Sequence, residues 1–251
     1  MGNASVETTL DAESTALDAD QLQAIVSLNK SRAMFYRKLS YYYLHELTQE
    51  EIERIAATDF TGLDGGDEDI AEGYREMKAY LQTLTTGTRQ QLACDYAHTF
   101  LAAGNYETFA ATPYESVFTS EEGLMMQDAR DETYKMYCDE HMQPNESLRI
   151  PEDHLSFQFQ FIALLLDRLN EAIDKHDWQQ ASTYANRIEK FHTEHQLNWV
   201  GDFCDTVEDV AQTTFYTGIS KVTRGFVKSE TDVIRDEAEL FADLASQQQV
   251  A

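Results

Sequence analysis

A chain of 251 residues can bury a sizeable core as one domain or as two lobes of modest size. Its 45 acidic against 19 basic residues, a formal net charge of -26, repel nucleic-acid backbones and anionic lipid and favour cationic partners, which argues against DNA or RNA binding. Only three prolines and eleven glycines interrupt it, which argues against a turn-dense all-β protein and predicts an all-α fold.

Residues 1–20, rich in Ala, Ser, Thr and Asp with no basic start and no apolar run, read as a mobile acidic leader rather than a signal peptide. Leu22, Ile25, Val26, Leu28, Met34, Phe35, Leu39 and Tyr42 then recur at mostly three- and four-residue steps, the mark of a long amphipathic helix, with Lys30, Arg32, Arg37 and Lys38 between them. Thr48 with Glu51 three residues on is a capping-box start for a short helix to about Ala57. Gly62, Gly65 and Gly66 make a turn, and the acidic residues beside them lack the ligand order of a calcium loop. Helices are predicted over Ile70 to Leu84 and, after Gly87, over Gln90 to Ala103, the latter presenting Leu92, Tyr96, Phe100 and Leu101.

Asn105 to Ser120 is aromatic, contains Pro113 and lacks helical spacing, so it reads as a long ordered loop. Ser120 is the expected cap of a helix through Leu124, Met125, Ala129, Tyr134 and Tyr137. Residues 141–151 read as a hinge between an N-terminal helical lobe, 21–140, and a C-terminal helical lobe with an acidic tail, 152–251. Such a hinge would also permit exchange of lobes between two copies, giving a domain-swapped homodimer. Pro151 sits where a first helical residue would, and Glu152 and Asp153 would place negative charge in the first turn of a central helix over 152–175. Within it Leu155, Phe157, Phe159 and Phe161 alternate with polar residues as in a strand, yet Phe157, Phe161 and Leu165 also lie four apart. The reading is a buried helix, apolar on several faces. Trp178 to His195 and Asp202 to Val227 supply two further helices before a last acidic helix or tail. The longest apolar stretch, Phe161 to Leu166, is far short of the ~20 residues that cross a bilayer.

Cys94, Cys138 and Cys204 are too few and too widely spaced for a disulfide scaffold or a thiolate zinc site, which fits a reducing cytoplasm. His192 and His195 do not form a His-Glu-x-x-His motif, phosphate-cradling glycine loops are absent, and neither metal nor cofactor is expected. Asp153 beside His154 admits acid-base chemistry on residue type alone. Neighbouring helical residues point about 100° apart, however, and no serine or cysteine nucleophile motif accompanies the pair, so a capping role comes first and no catalytic residue is assigned.

Three motifs stand in order: Phe100 near a helix end, followed by Pro113-Tyr114-Glu115-Ser116-Val117-Phe118; Pro151-Glu152-Asp153-His154; and His195, Trp199 and Phe203 at four-residue steps. Together they resemble the TorD/DmsD/NarJ family of redox-enzyme maturation chaperones. The resemblance implies an all-helical protein of two lobes joined near the Pro-x-Asp-His segment. It further implies a role without catalysis: binding the twin-arginine signal peptide, or the apoenzyme, of a molybdenum oxidoreductase until its cofactor is inserted. Phe100, Pro113, Tyr114, Glu115, Phe118, Asp153 and His154 are then the peptide-binding candidates, and Pro151, His195, Trp199 and Phe203 the structural ones. Ile150, Gln158, Gln160 and Ala102-Ala103 depart from the family's habit at their positions. A helical scaffold protein and an Asp-His hydrolase are the alternatives.

Overall fold

The computed structural model describes residues 17–63, 65–103, 110–143 and 148–250. Most of the predicted leader, Asp64, Tyr106 and its neighbours, and residues 144–147 of the predicted hinge lie outside them. Ten α-helices and no strand occur among the described residues.

Helix α1 (Ala19–Leu44) opens on a capping box in which the Asp18 side chain accepts from Gln21 N. It lies along α7 (Leu155–Asp174). Its predicted apolar stripe is corrected at two positions, since Leu28 and Met34 face solvent while Arg32 is buried. Arg32 reaches α10 (Thr214–Val250), donating to Glu230 at 2.9 Å, and pairs with Glu237 as well. A guanidinium in the interior is tolerated because it meets two carboxylates and Asn29 there.

Helix α2 (Gln49–Ala56) carries the predicted Thr48–Glu51 capping box. Helix α3 (Glu68–Leu81) starts earlier than expected because Asp67 accepts from Ile70 N, and it stops at Leu81, leaving Leu84 exposed. Helix α4 (Thr88–Phe100) likewise ends three residues early, at a left-handed Ala102, so Leu101 points to water.

Helix α5 (Glu115–Thr119) lies inside the stretch read as loop. Helix α6 (Asp128–Asp139) begins eight residues after Ser120. Ser120 does cap, but it caps a turn: its hydroxyl accepts from Leu124 N at 3.2 Å, with Gly123 in the left-handed region.

Central helix α7 starts at Leu155, not at 152. The Pro151 carbonyl accepts from His154 N, so residues 151–154 form a turn ahead of the helix, and Pro151 is not its first residue. The period-two run is helical and buried all round, as a helix enclosed by neighbours must be.

Helix α8 (Trp178–His195) has the predicted ends. The helix predicted over 202–227 is two: α9 (Val200–Val210) stops before α10, which continues through the expected tail. The break is held from far away in sequence. Asp95 of α4 accepts from Gln212 N and Thr213 N, both at 2.8 Å.

At ~1.5 Å per residue the 37 residues of α10 run about 55 Å, past α3, α9 and α8 in turn. It meets α3 through glycines. A Cβ on Gly73 would stand 2.4 Å from the Gly218 carbonyl oxygen, and one on Gly218 would stand 2.6 Å from the Gly73 carbonyl oxygen. Helices on both sides of residues 141–151 share one buried cluster, from Val26 and Leu92 through Phe159 to Phe241.

A candidate binding site where three motifs meet

The segment before α5 runs antiparallel to the turn before α7, with Tyr114 opposite His154 in a single β-bridge. Leu155 N donates to the Pro113 carbonyl at 2.9 Å, and Glu115 N to the Asp153 carbonyl at 3.2 Å. Both helices therefore start from one short hydrogen-bonded joint, and its side chains serve as their caps. The Asp153 Oδ2 accepts from Ser116 N at 2.9 Å, where a carboxylate satisfies an unpaired donor of α5. His154 Nδ1 accepts from Ser156 N at 3.1 Å, capping α7.

Burial sets the chemistry of this imidazole, pushing its pKa down to about 3, so it is neutral at ordinary pH. The Tyr114 ring stands edge-on to it, centroids 4.9 Å apart, and burial with the nearby Asp153 charge raises the Tyr114 phenol. Asp153 and His154 take separate partners rather than each other. The Ser156 hydroxyl touches Nδ1, but Ser156 is wholly buried, so no substrate reaches it. That geometry caps helices; it does not build a hydrolase.

The third motif closes over α5. Glu115, 2 % exposed, has its carboxylate shared among Gln158 Nε2 at 2.6 Å, His195 Nδ1 at 3.1 Å and Asn198 Nδ2 at 3.0 Å. Trp199 Nε1 donates to the His195 carbonyl at 2.7 Å. Phe118 packs between Trp199 and Phe203, centroids 5.5 and 5.8 Å away. Phe203 also meets Phe100, which is fully buried among Tyr43, Tyr96 and Tyr216.

The structure thus brings Pro113, Tyr114, Glu115, Phe118, Asp153, His154, His195, Trp199 and Phe203 together, with Phe100 behind Phe203 and Pro151 at the margin. Only Tyr114, Phe118 and Pro151 keep partial exposure. Asp153 Oδ1 and the Tyr137 hydroxyl are buried without a hydrogen-bond partner among the described residues. Sequence reasoning missed Asn198 and Tyr137, and counted Gln158 only as a departure. No local signal marks them, because each is defined by a partner distant in sequence.

His192 and His195, considered for a metal, are engaged separately, His192 with Gln196 and Thr231 and His195 with Glu115. No helix among the described residues is long and apolar enough to cross a membrane.

The profile of the family described as nitrate reductase delta subunit matches residues 64–205, more than half of the chain and all three motifs. The chain therefore belongs to that family, the TorD/NarJ group of maturation proteins which its motifs resemble. Among individual relatives it is similar to the chaperone protein TorD of Vibrio parahaemolyticus, 24% identical over 222 residues, covering 86% of this chain and 100% of the relative. The TorD chaperone of Vibrio cholerae is 25% identical over 214 residues, 83% of this chain and 94% of its own. That of Shewanella pealeana is 24% identical over 213 residues, 82% and 86% respectively.

Proposed function

We propose that this protein is a cytoplasmic chaperone that binds the twin-arginine signal peptide, or the apoenzyme, of a molybdenum oxidoreductase and holds it until the cofactor is inserted, before export. The observation that carries the reading is the convergence of the three family motifs on one joint in a chain similar along most of its length to chaperones named TorD. The joint presents capping and packing contacts and no reactive group open to solvent, which suits a binder better than a catalyst. Its unpartnered Asp153 Oδ1 offers an acceptor to a guanidinium that opens the joint, and the surplus of carboxylates draws a cationic leader towards it.

Calorimetric titration with twin-arginine leaders from molybdoenzymes of the same organism tests this, each beside a version with both arginines changed to alanine. One leader should bind saturably and its alanine version at least tenfold more weakly. Asp153→Asn should weaken that binding while leaving the thermal midpoint in place. If no leader binds, the signal-peptide reading is lost and recognition of the mature apoenzyme takes its place. If binding and midpoint fall together, Asp153 serves the fold alone.

A further inference from the structure

The joint is sealed: Phe100, Glu115, Asp153 and His154 are all buried, so an apolar segment has little to lie on there. The next stretch of chain is the opposite. Leu124, Met125 and Met126 are 51%, 48% and 58% exposed, a run of three large apolar residues side by side in water. The other large apolar residues that face solvent among the described residues stand singly along the chain. Scattered exposure of that kind is ordinary, whereas a consecutive run marks a contact surface.

The loop that carries the run is fixed in place. Gln127 N donates to the Ser116 hydroxyl at 3.2 Å, Gln127 Nε2 to the Met125 carbonyl at 3.1 Å, and Met126 is held in the left-handed region that glycine favours. The three side chains are therefore displayed by an ordered loop anchored on the residue whose backbone N–H holds Asp153.

Beside them lies a cleft of about 410 Å³ lined by Thr119, Glu121, Glu122, Gln127 and Asp128. Its three carboxylates take part in no ion pair among the described residues, and the neighbouring Arg130 is spent on Glu152 and Asp131. An apolar surface with unneutralised carboxylates alongside complements a segment that joins adjacent cations to an apolar run. Methionines suit such a surface because they adapt to whatever side chains arrive.

We infer that the α5–α6 loop is the docking surface for the bound leader: Leu124, Met125 and Met126 receive its apolar run, and Glu121, Glu122 and Asp128 the one of its two arginines that does not pair with Asp153. The inference rests on the chaperone reading above and names a surface for it outside the buried joint.

The test uses full-length protein labelled at the methionine methyl groups and a synthetic peptide of the leader that wild-type protein binds. Met125 and Met126 signals should shift on titration while Met34, 67% exposed on α1, stays still. Leu124→Ser with Met125→Ser and Met126→Ser, and separately Glu121→Gln with Glu122→Gln, should each weaken binding at least tenfold at an unchanged thermal midpoint. A leader that binds wild type and both variants equally, without moving the Met125 and Met126 signals, removes this surface and leaves the chaperone reading standing. Failure of wild type to bind any leader removes this surface together with the signal-peptide reading.

Discussion

His154 shows how one residue ties a motif to stability. Its Nδ1 must stay unprotonated to accept from Ser156 N, and burial keeps it so down to about pH 3, whereas in the unfolded chain an imidazole takes a proton near pH 6.5. Between those values the unfolded state binds the extra proton, so stability falls as pH drops below about 6.5, at up to ~1.4 kcal/mol per pH unit. His192, lowered mainly by burial, works in the same direction. The urea midpoint should decline from pH 7.5 to pH 5, and His154→Asn, which retains a capping side chain, should flatten that decline. A slope unchanged by the substitution would place the pH sensitivity elsewhere. Glu115 makes the complementary point. Gln158 donates to Glu115 and accepts from Trp199, and a carboxylate in its place could not donate unless protonated. Residue types at the joint were readable from the sequence; that Gln158, Asn198 and His195 converge on one carboxylate was not, since their partner lies about 40 or more positions away.

Among the elements, legibility followed the range of the signal. The starts of α8 and α2 are marked by their own residues, Asp177 and the Thr48–Glu51 box, and agree with the sequence. Five-residue α5 is too short to show a period, so its sequence reads as loop. The start of α7 was displaced by three residues because Pro151, Glu152 and Asp153, a good first turn by local rules, are drawn into the bridge to Tyr114. The division between α9 and α10 escaped because its cause is Asp95, on another helix. The crossing of α3 and α10 is of the same long-range kind. Gly73→Ala has no room for its methyl against the Gly218 carbonyl and should cost about 1–3 kcal/mol, read as a lower urea midpoint. Gly201→Ala, with nothing within 4 Å of the added carbon, is the control. Equal midpoints for the two would mean that the helices separate freely.

For the molecule as a whole, the charge of -26 acts at a distance that no single contact reaches. Encounter with a cationic leader should be accelerated by this field and screened by salt, with the Debye length falling from about 10 Å at 0.1 M to about 3 Å at 1 M. Stopped-flow association rates should drop at least tenfold between 50 and 500 mM sodium chloride, with dissociation changing less. A rate indifferent to salt would confine the acidity to solubility. The sequence displayed this surplus of charge in full, because a net charge needs no fold to be counted.

The reach of α10 bears on how the protein comes into being. A polypeptide leaves the ribosome with α1 and α3 first, yet Arg32 finds its carboxylates on Glu230 and Glu237, and Gly73 meets its neighbour at Gly218. Until α10 has emerged, α1 can lie along α7 but carries an unneutralised guanidinium, and α3 has a bare apolar face. The contacts of α1 and α3 with α10 can therefore form only once all the helices between them have been synthesised.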